Sequence, residues 1–175
     1  MPLLASQLGE SFFDEKLGNL CMSWLGDPVF SIREAATINL RRLTEVFGVE
    51  WAKKTIIPRV LAMGSDQNYI YRMTTIFSIN TIAQAVSAQI IKELFLPTLL
   101  KLATDPIPNI RFNVPKSLET LTPILKSDPS TASVVTNEIR AALLQLSNDQ
   151  DYDVKYFTQR ALVKDKESYS NRSHL

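Results

Sequence analysis

Leu96-Pro97-Thr98-Leu99-Leu100-Lys101-Leu102-Ala103-Thr104-Asp105-Pro106-Ile107-Pro108-Asn109-Ile110-Arg111-Phe112-Asn113-Val114 is the stretch that decides the fold. Leu96, Leu99, Leu100 and Ala103 fall at i, i+3, i+4 and i+7, which is one face of a helix. Between Thr104 and Asn109, Pro106 and Pro108 remove backbone donors and crowd the preceding turn, so that helix has to stop there. A second helical pattern follows, with Asn109 placed to cap it. The stretch reads as two helices joined by an acidic turn.

The same design recurs along the chain. Asp27, Asp66, Asp105 and Asp149 stand 39, 39 and 44 residues apart. Six positions after each comes a base: Arg33, Arg72, Arg111 or Lys155. Just before that base sits Ile32, Tyr71, Ile110 or Val154, and thirteen positions after the Asp sits Leu40, Ile79, Leu118 or Leu162. Three positions before the Asp lies Trp24, Met63, Leu102 or Leu146. A period near 40 with two helices per unit predicts an all-α protein, an α-solenoid of HEAT repeats. The repeats are placed at 11–47, 50–87, 90–124 and 133–163, after the end of a half repeat at 1–10 and before a disordered polar tail at 164–175.

Neither helix of a hairpin can bury its apolar stripe alone, so the hairpins must stack. Cap positions equivalent to Asn109 hold Ser31 and Asp153, Ser31 to Glu34 has the form of a capping box, and Asn68 is the cap expected in the second repeat. Each base is expected to reach the Asp of its own or the next repeat and so to hold the turns in register. Exposed pairs of that kind contribute only about 0–1 kcal/mol each, so the apolar columns must hold the stack together.

Composition narrows the function. Nineteen basic residues against eighteen acidic ones leave a net charge of +1, too little excess for general phosphate neutralisation or for an anionic membrane surface. Neither a nucleic-acid nor a membrane partner is expected. No apolar run approaches the length of a membrane span, and the start lacks the basic region of a secretory signal. A cytoplasmic location is expected, with the nucleus also accessible. The one cysteine, Cys21, lies among Leu20, Met22 and Trp24 and reads as a buried structural thiol.

Chemistry-bearing motifs fail one by one. Asp149, Asp151 and Asp153 alternate as in a calcium loop, but Val154 stands where glycine is required and Arg160 where a bidentate Glu belongs. His174 is the single histidine, so no His-based triad or His-rich metal site is available. Glycines 9, 18, 26, 48 and 64 are scattered and form no phosphate loop. Asn171-Arg172-Ser173 is a glycosylation sequon that needs secretion to matter, and Ser173-His174-Leu175 is a weak echo of a peroxisomal address. Trp24 and Met63 are expected in the core, and Trp51, at the start of a helix, partly exposed. The chain is therefore expected to have no catalytic residue, no cofactor and no metal.

Several stretches resemble one family. Phe12-Phe13-Asp14-Glu15-Lys16-Leu17, Ile32-Arg33-Glu34-Ala35-Ala36-Thr37, Arg72-Met73-Thr74-Thr75, Asn109-Ile110-Arg111-Phe112-Asn113-Val114 and Asp153-Val154-Lys155-Tyr156-Phe157 are similar to the carboxy-terminal repeats of the scaffold (A) subunits of protein phosphatase 2A. The resemblance implies a non-catalytic scaffold segment of HEAT repeats. It also implies that the intra-repeat turns hold the phosphatase catalytic subunit, while regulatory subunits need earlier repeats that this chain lacks. Residues 1–8 would then be the end of a helix without its partner, as in a fragment, a truncated paralogue or a self-associating chain. Pro115, where the family has a helix former, is expected to kink or split its helix at about 3 kcal/mol and displace the nearby turn.

The binding residues expected on the turns are Phe30, Arg33, Asn68, Tyr69, Tyr71, Arg72, Ile107, Asn109, Arg111, Tyr152 and Lys155. Packed helices lie about 8–10 Å apart, which gives four successive turns a ridge of roughly 30 Å. Aromatic and arginine side chains are the types enriched at interfaces. The basic column is equally open to a purely structural reading. Two other functions compete: a degenerate copy that binds no phosphatase, and a HEAT-type nucleic-acid enzyme, against which the balanced charge counts.

Overall fold

The computed structural model describes residues 2–170, with side chains from Leu3 to Lys164. The chain forms two compact units, Met1–Val86 and Ser87–Leu175. No strand occurs among the described residues.

The first unit opens with α1 (Pro2–Leu8), followed by α2 (residues 10–26), α3 (Phe30–Phe47), α4 (residues 49–63) and α5 (Tyr69–Ile82). Helices α2 and α3 form one hairpin and α4 and α5 the next, with α3 lying along α5 and α1 against α3. Gly9 and Gly48 separate successive hairpins with φ of 83° and 91°, a backbone region that glycine enters without steric cost. Between the hairpins, Leu25, Leu40, Leu43, Ile57, Ile76 and Ile79 are fully buried, each contributing about 1.5–3 kcal/mol by leaving water. Phe13, Phe47 and Trp51 close the outer side, with ring centroids 4.7–5.8 Å apart. Trp51 is therefore buried and not partly exposed, because its indole N–H donates to the Asp14 carboxylate at 3.1 Å and its ring fills the gap between α2 and α3.

The second unit repeats the plan with α6 (residues 88–102), α7 (Pro108–Ser127), α8 (residues 132–146) and α9 (Tyr152–Ser170). Helix α7 lies along α9, over a core that includes Phe95, Leu99, Ile110, Val114, Leu118 and Val154. The period reaches into the helix defects. A π-turn occupies residues 13–17 of α2, 91–95 of α6 and 135–139 of α8, and α4 breaks at Ile56, ahead of Pro58.

Pro115 neither splits nor ends α7, which runs unbroken through Pro115 and Pro123. Pro115 is buried, and packing along α9 outweighs the lost backbone bonds, as tertiary contacts commonly outweigh propensity. The caps differ from expectation. Ser31 and Asn109 lie inside the first turns of α3 and α7, whose N-caps are Val29 and Ile107, so the capping box does not form. Asp151, not Asp153, caps α9 by accepting from the Val154 N–H at 3.1 Å. Asn68 does cap α5, accepting from the Ile70 N–H at 3.0 Å. Helix α9 continues to Ser170, so the expected polar tail begins inside a helix; residues 171–175 lie outside the described residues.

Candidate functional site

All four turns share one closing device, and the first three share a second. The carboxylate of Asp27, Asp66, Asp105 or Asp149 accepts from the backbone N–H two residues on, at 2.8–2.9 Å. This Asx turn fixes the bend that the prolines and polar residues permit. The guanidinium six residues on clamps the same bend from the other side. Arg33 donates to the carbonyls of Asp27 and Pro28, Arg72 to those of Asp66 and Gln67, and Arg111 to those of Asp105 and Pro106, at 2.6–3.1 Å. The fixed offset thus encodes a bond to the Asp backbone, because the Asp carboxylate is turned to its own loop N–H.

The expected link to the next repeat forms in the second unit. Arg111 Nε donates to Asp149 Oδ2 at 2.7 Å and its Nη2 to Oδ1 at 2.9 Å, with only 17% and 11% of the two side chains exposed. The hydrogen bond from Arg111 holds the Asp149 carboxyl below the usual carboxylate range. In the first unit Arg33 lies instead over the Phe30 ring, 5.7 Å from its centroid. Lys155 has one ammonium and no fork, and its side chain makes no hydrogen bond or ion pair among the described residues, so it departs from the register role expected of it.

The aromatic candidates divide by surroundings. Tyr152 is 78% exposed, Phe30 55% and Tyr69 46%. Asn68, Asn109 and Lys155 are exposed, while Arg33, Arg72, Ile107 and Arg111 are half-buried. Tyr71 belongs to the packing: a Cβ added at Gly26 would stand 2.3 Å from its ring, so the glycine makes room for the tyrosine of the next hairpin. Phe30 meets Phe77 edge-on with centroids 6.5 Å apart, beside a groove of about 270 Å³ that runs inward between α3 and α5. In each unit the structure thus brings two successive turns side by side, through Tyr71 on Gly26 in one and Arg111 on Asp149 in the other.

Residues not expected from the sequence lie on α7 and α9. Phe112 and Phe157 stack with centroids 5.4 Å apart, Lys116 stands over both rings, Arg160 over Phe157, and Tyr156 edge-on to Phe157. Phe112 and Lys116, and Tyr156 and Arg160, are spaced i, i+4, a signal that was present in the chain. Among the described residues no group of three or more His, Cys, Asp or Glu could hold a metal ion, and no helix is long and apolar enough to cross a membrane. Burial raises the Cys21 thiol pKa, which suits a packing role.

Stacked two-helix hairpins with Asx turns clamped by a basic residue define a HEAT-repeat protein, and the most prominent surface chemistry lies on the turns and on the helices that follow them. No protein-family model matches the chain. Its relatives are the regulatory (A) subunits of protein phosphatase 2A. It is 42% identical over 134 residues to the PP2A regulatory (A) subunit of Saccharomyces cerevisiae, a match covering 75% of this chain and 21% of that protein. It is 60% identical over 74 residues to the protein of the same name in Schizosaccharomyces pombe, covering 42% of this chain and 12% of that protein. To the PP2A 65 kDa regulatory subunit of Drosophila melanogaster it is 47% identical over 62 residues, 35% of this chain and 10% of that protein. The chain thus spans about a fifth or less of the length of these relatives, as a fragment or a paralogue would. They are named as regulatory and not as catalytic subunits, the class expected from the sequence.

Proposed function

We propose that this chain is a scaffold segment whose intra-repeat turns bind the catalytic subunit of a Ser/Thr phosphatase of the 2A type. The observation that carries the reading is the exposure of Phe30, Tyr69 and Tyr152 on bends that Asp and Arg hold rigidly, in a chain whose relatives are regulatory (A) subunits of that phosphatase. Rigid aromatic side chains bury area at low entropic cost, which makes them natural anchors on the turns of each unit. Beside them, Asn68 and Arg72 supply polar contacts in the first unit, and Asn109 and Lys155 in the second, where Ile107 adds a smaller apolar one. The four repeats are proposed for the catalytic subunit and not for regulatory subunits, and the complex works in the cytoplasm and nucleus.

Mixing the chain with purified catalytic subunit is expected to give a complex by size exclusion and a saturable heat by calorimetry. Tyr69→Ala and Tyr152→Ala should each weaken it about tenfold, the scale of a moderate hot spot. No complex at micromolar concentrations would sink the reading. A complex indifferent to both substitutions would move the interface off the turns.

A further inference from the structure

We propose that the pocket between α2 and α4 is a binding site for a medium-chain carboxylate, an apolar body with one anionic head. The pocket lies within the first unit, has a volume of about 290 Å³, and is walled by α2 and α4 over α3. No turn residue lines it, so it stands apart from the turns and does not depend on a phosphatase being the partner.

Its floor is apolar. Phe13, Cys21, Leu40, Leu43 and Ile56 line it and are all buried. The polar groups of the wall are already committed. The Thr55 hydroxyl donates to the Trp51 carbonyl at 2.8 Å, and the Trp51 indole N–H donates to the Asp14 carboxylate at 3.1 Å. What the floor offers a ligand is therefore apolar surface, against which methylenes leave water favourably.

Its mouth is charged. Asp14, Lys54 and Arg59 line the pocket and are exposed, the two bases on either side of the break in α4 at Ile56. Arg59 donates to the neutral side-chain carbonyl of Asn19 at 3.1 Å, and Lys54 makes no hydrogen bond or ion pair among the described residues. Asp14 is held by the neutral indole of Trp51. None of the three is neutralised by an ion pair among the described residues, so two cations stand against one carboxylate. One net positive charge fits a monoanion better than a dianion such as phosphate, which Asp14 would repel. The planar fork of Arg59 suits a carboxylate in particular. Volume sets the length of the body. At roughly 30 Å³ for each water-sized group the pocket holds about ten non-hydrogen atoms, the size of octanoate.

The test is calorimetric titration of the full chain with octanoate at low salt, with amide and indole N–H shifts of the ¹⁵N-labelled chain to locate the site. The expected result is saturable binding that shifts the Trp51 indole N–H and the Cys21 amide. Hexanoate should bind about fifteenfold more weakly, a factor of about four for each buried methylene it lacks. Octanol should bind about tenfold more weakly, the scale of a hydrogen bond to a charged group. Lys54→Gln and Arg59→Gln, both at exposed positions, should each weaken octanoate several-fold. Lys53→Gln should not, because Lys53 is paired with Glu50 and does not line the pocket. Octanol or octylamine binding as tightly as octanoate overturns the proposal. So does the absence of saturable binding, an affinity that neither variant at the mouth changes, or shifts that miss Trp51 and Cys21.

Discussion

In the first pair of hairpins the ring of Tyr71 rests on Gly26 and Arg33 lies over Phe30, whereas in the second pair Arg111 and Asp149 form a two-pronged ion pair. Both pairs are built on the same Asp and base, and both bases clamp the carbonyls of their own turn. What differs is how one turn is fastened to the next. An aromatic ring on a glycine depends on shape and is indifferent to salt and pH, while a half-buried ion pair depends on both charges being present. One period therefore accommodates two kinds of joint.

The largest expected effect is on the charged joint. Arg111→Ala removes bonds to two carbonyls and leaves Asp149 mostly buried and without its guanidinium, so a loss of about 2–3 kcal/mol is expected. Arg33→Ala removes the corresponding carbonyl bonds but strands no carboxylate, and should lose about 1 kcal/mol. Urea unfolding followed by circular dichroism of both variants measures the difference. Equal losses would mean that the clamp, and not the ion pair, is what matters in both halves.

Next is the shape-dependent joint. Gly26→Ala drives a methyl into the Tyr71 ring, which must swing outward, at about 1–2 kcal/mol. Adding Tyr71→Ala should abolish that penalty, so that the double variant is no less stable than Tyr71→Ala alone. A penalty that persists in the double variant would show the glycine to be needed for its backbone and not for the ring.

How these joints are encoded explains what the sequence discloses. Spacings of 39 residues and the apolar columns at Leu40, Ile79 and Leu118 disclose the hairpins, because burial and helical periodicity are local signals that repeat. The offset of six is visible, but its meaning is not. An Arg six residues after an Asp looks like a salt bridge until the loop geometry turns the carboxylate to its own N–H. Gly26 looks like one of five scattered glycines, because its reason is a ring 45 residues away. Pro115 misleads in the opposite direction, since propensity counts the lost bond and not the packing of α7 along α9. Phe112, Lys116 and Phe157 carry a legible spacing within each helix, but only the packing of α7 on α9 shows that the two spacings meet.

A smaller effect separates the joints by acidity. Asp149 has its carboxyl pKa depressed in the folded state by the hydrogen bond from Arg111. A depressed carboxylate contributes stability that is complete above its unfolded value, near 3.9, and is lost as pH falls through the lower folded value. The second pair of hairpins should therefore show an acid-dependent loss below about pH 4. Asp149→Asn, costing about 1 kcal/mol at pH 7, should flatten that limb. If the slope of stability against pH below 4 is the same in both proteins, Asp149 is not the group that titrates.

The smallest effect concerns the caps, which differ from turn to turn within each half. Asn68 accepts from the Ile70 N–H, while the equivalent position in the third repeat is Ile107, whose side chain caps nothing. Helix α7 compensates by beginning with Pro108, which has no N–H to leave unsatisfied. Asn68→Ala should then cost about 0.5–1 kcal/mol and fray the first turn of α5, seen as faster amide exchange at Ile70. Ile107→Asn offers α7 a cap it does not have and should be close to neutral or slightly stabilising. That outcome would place the penalty of a missing cap on the turn that lacks a proline. A loss on Ile107→Asn larger than on Asn68→Ala would show instead that the half-buried isoleucine is held there by packing.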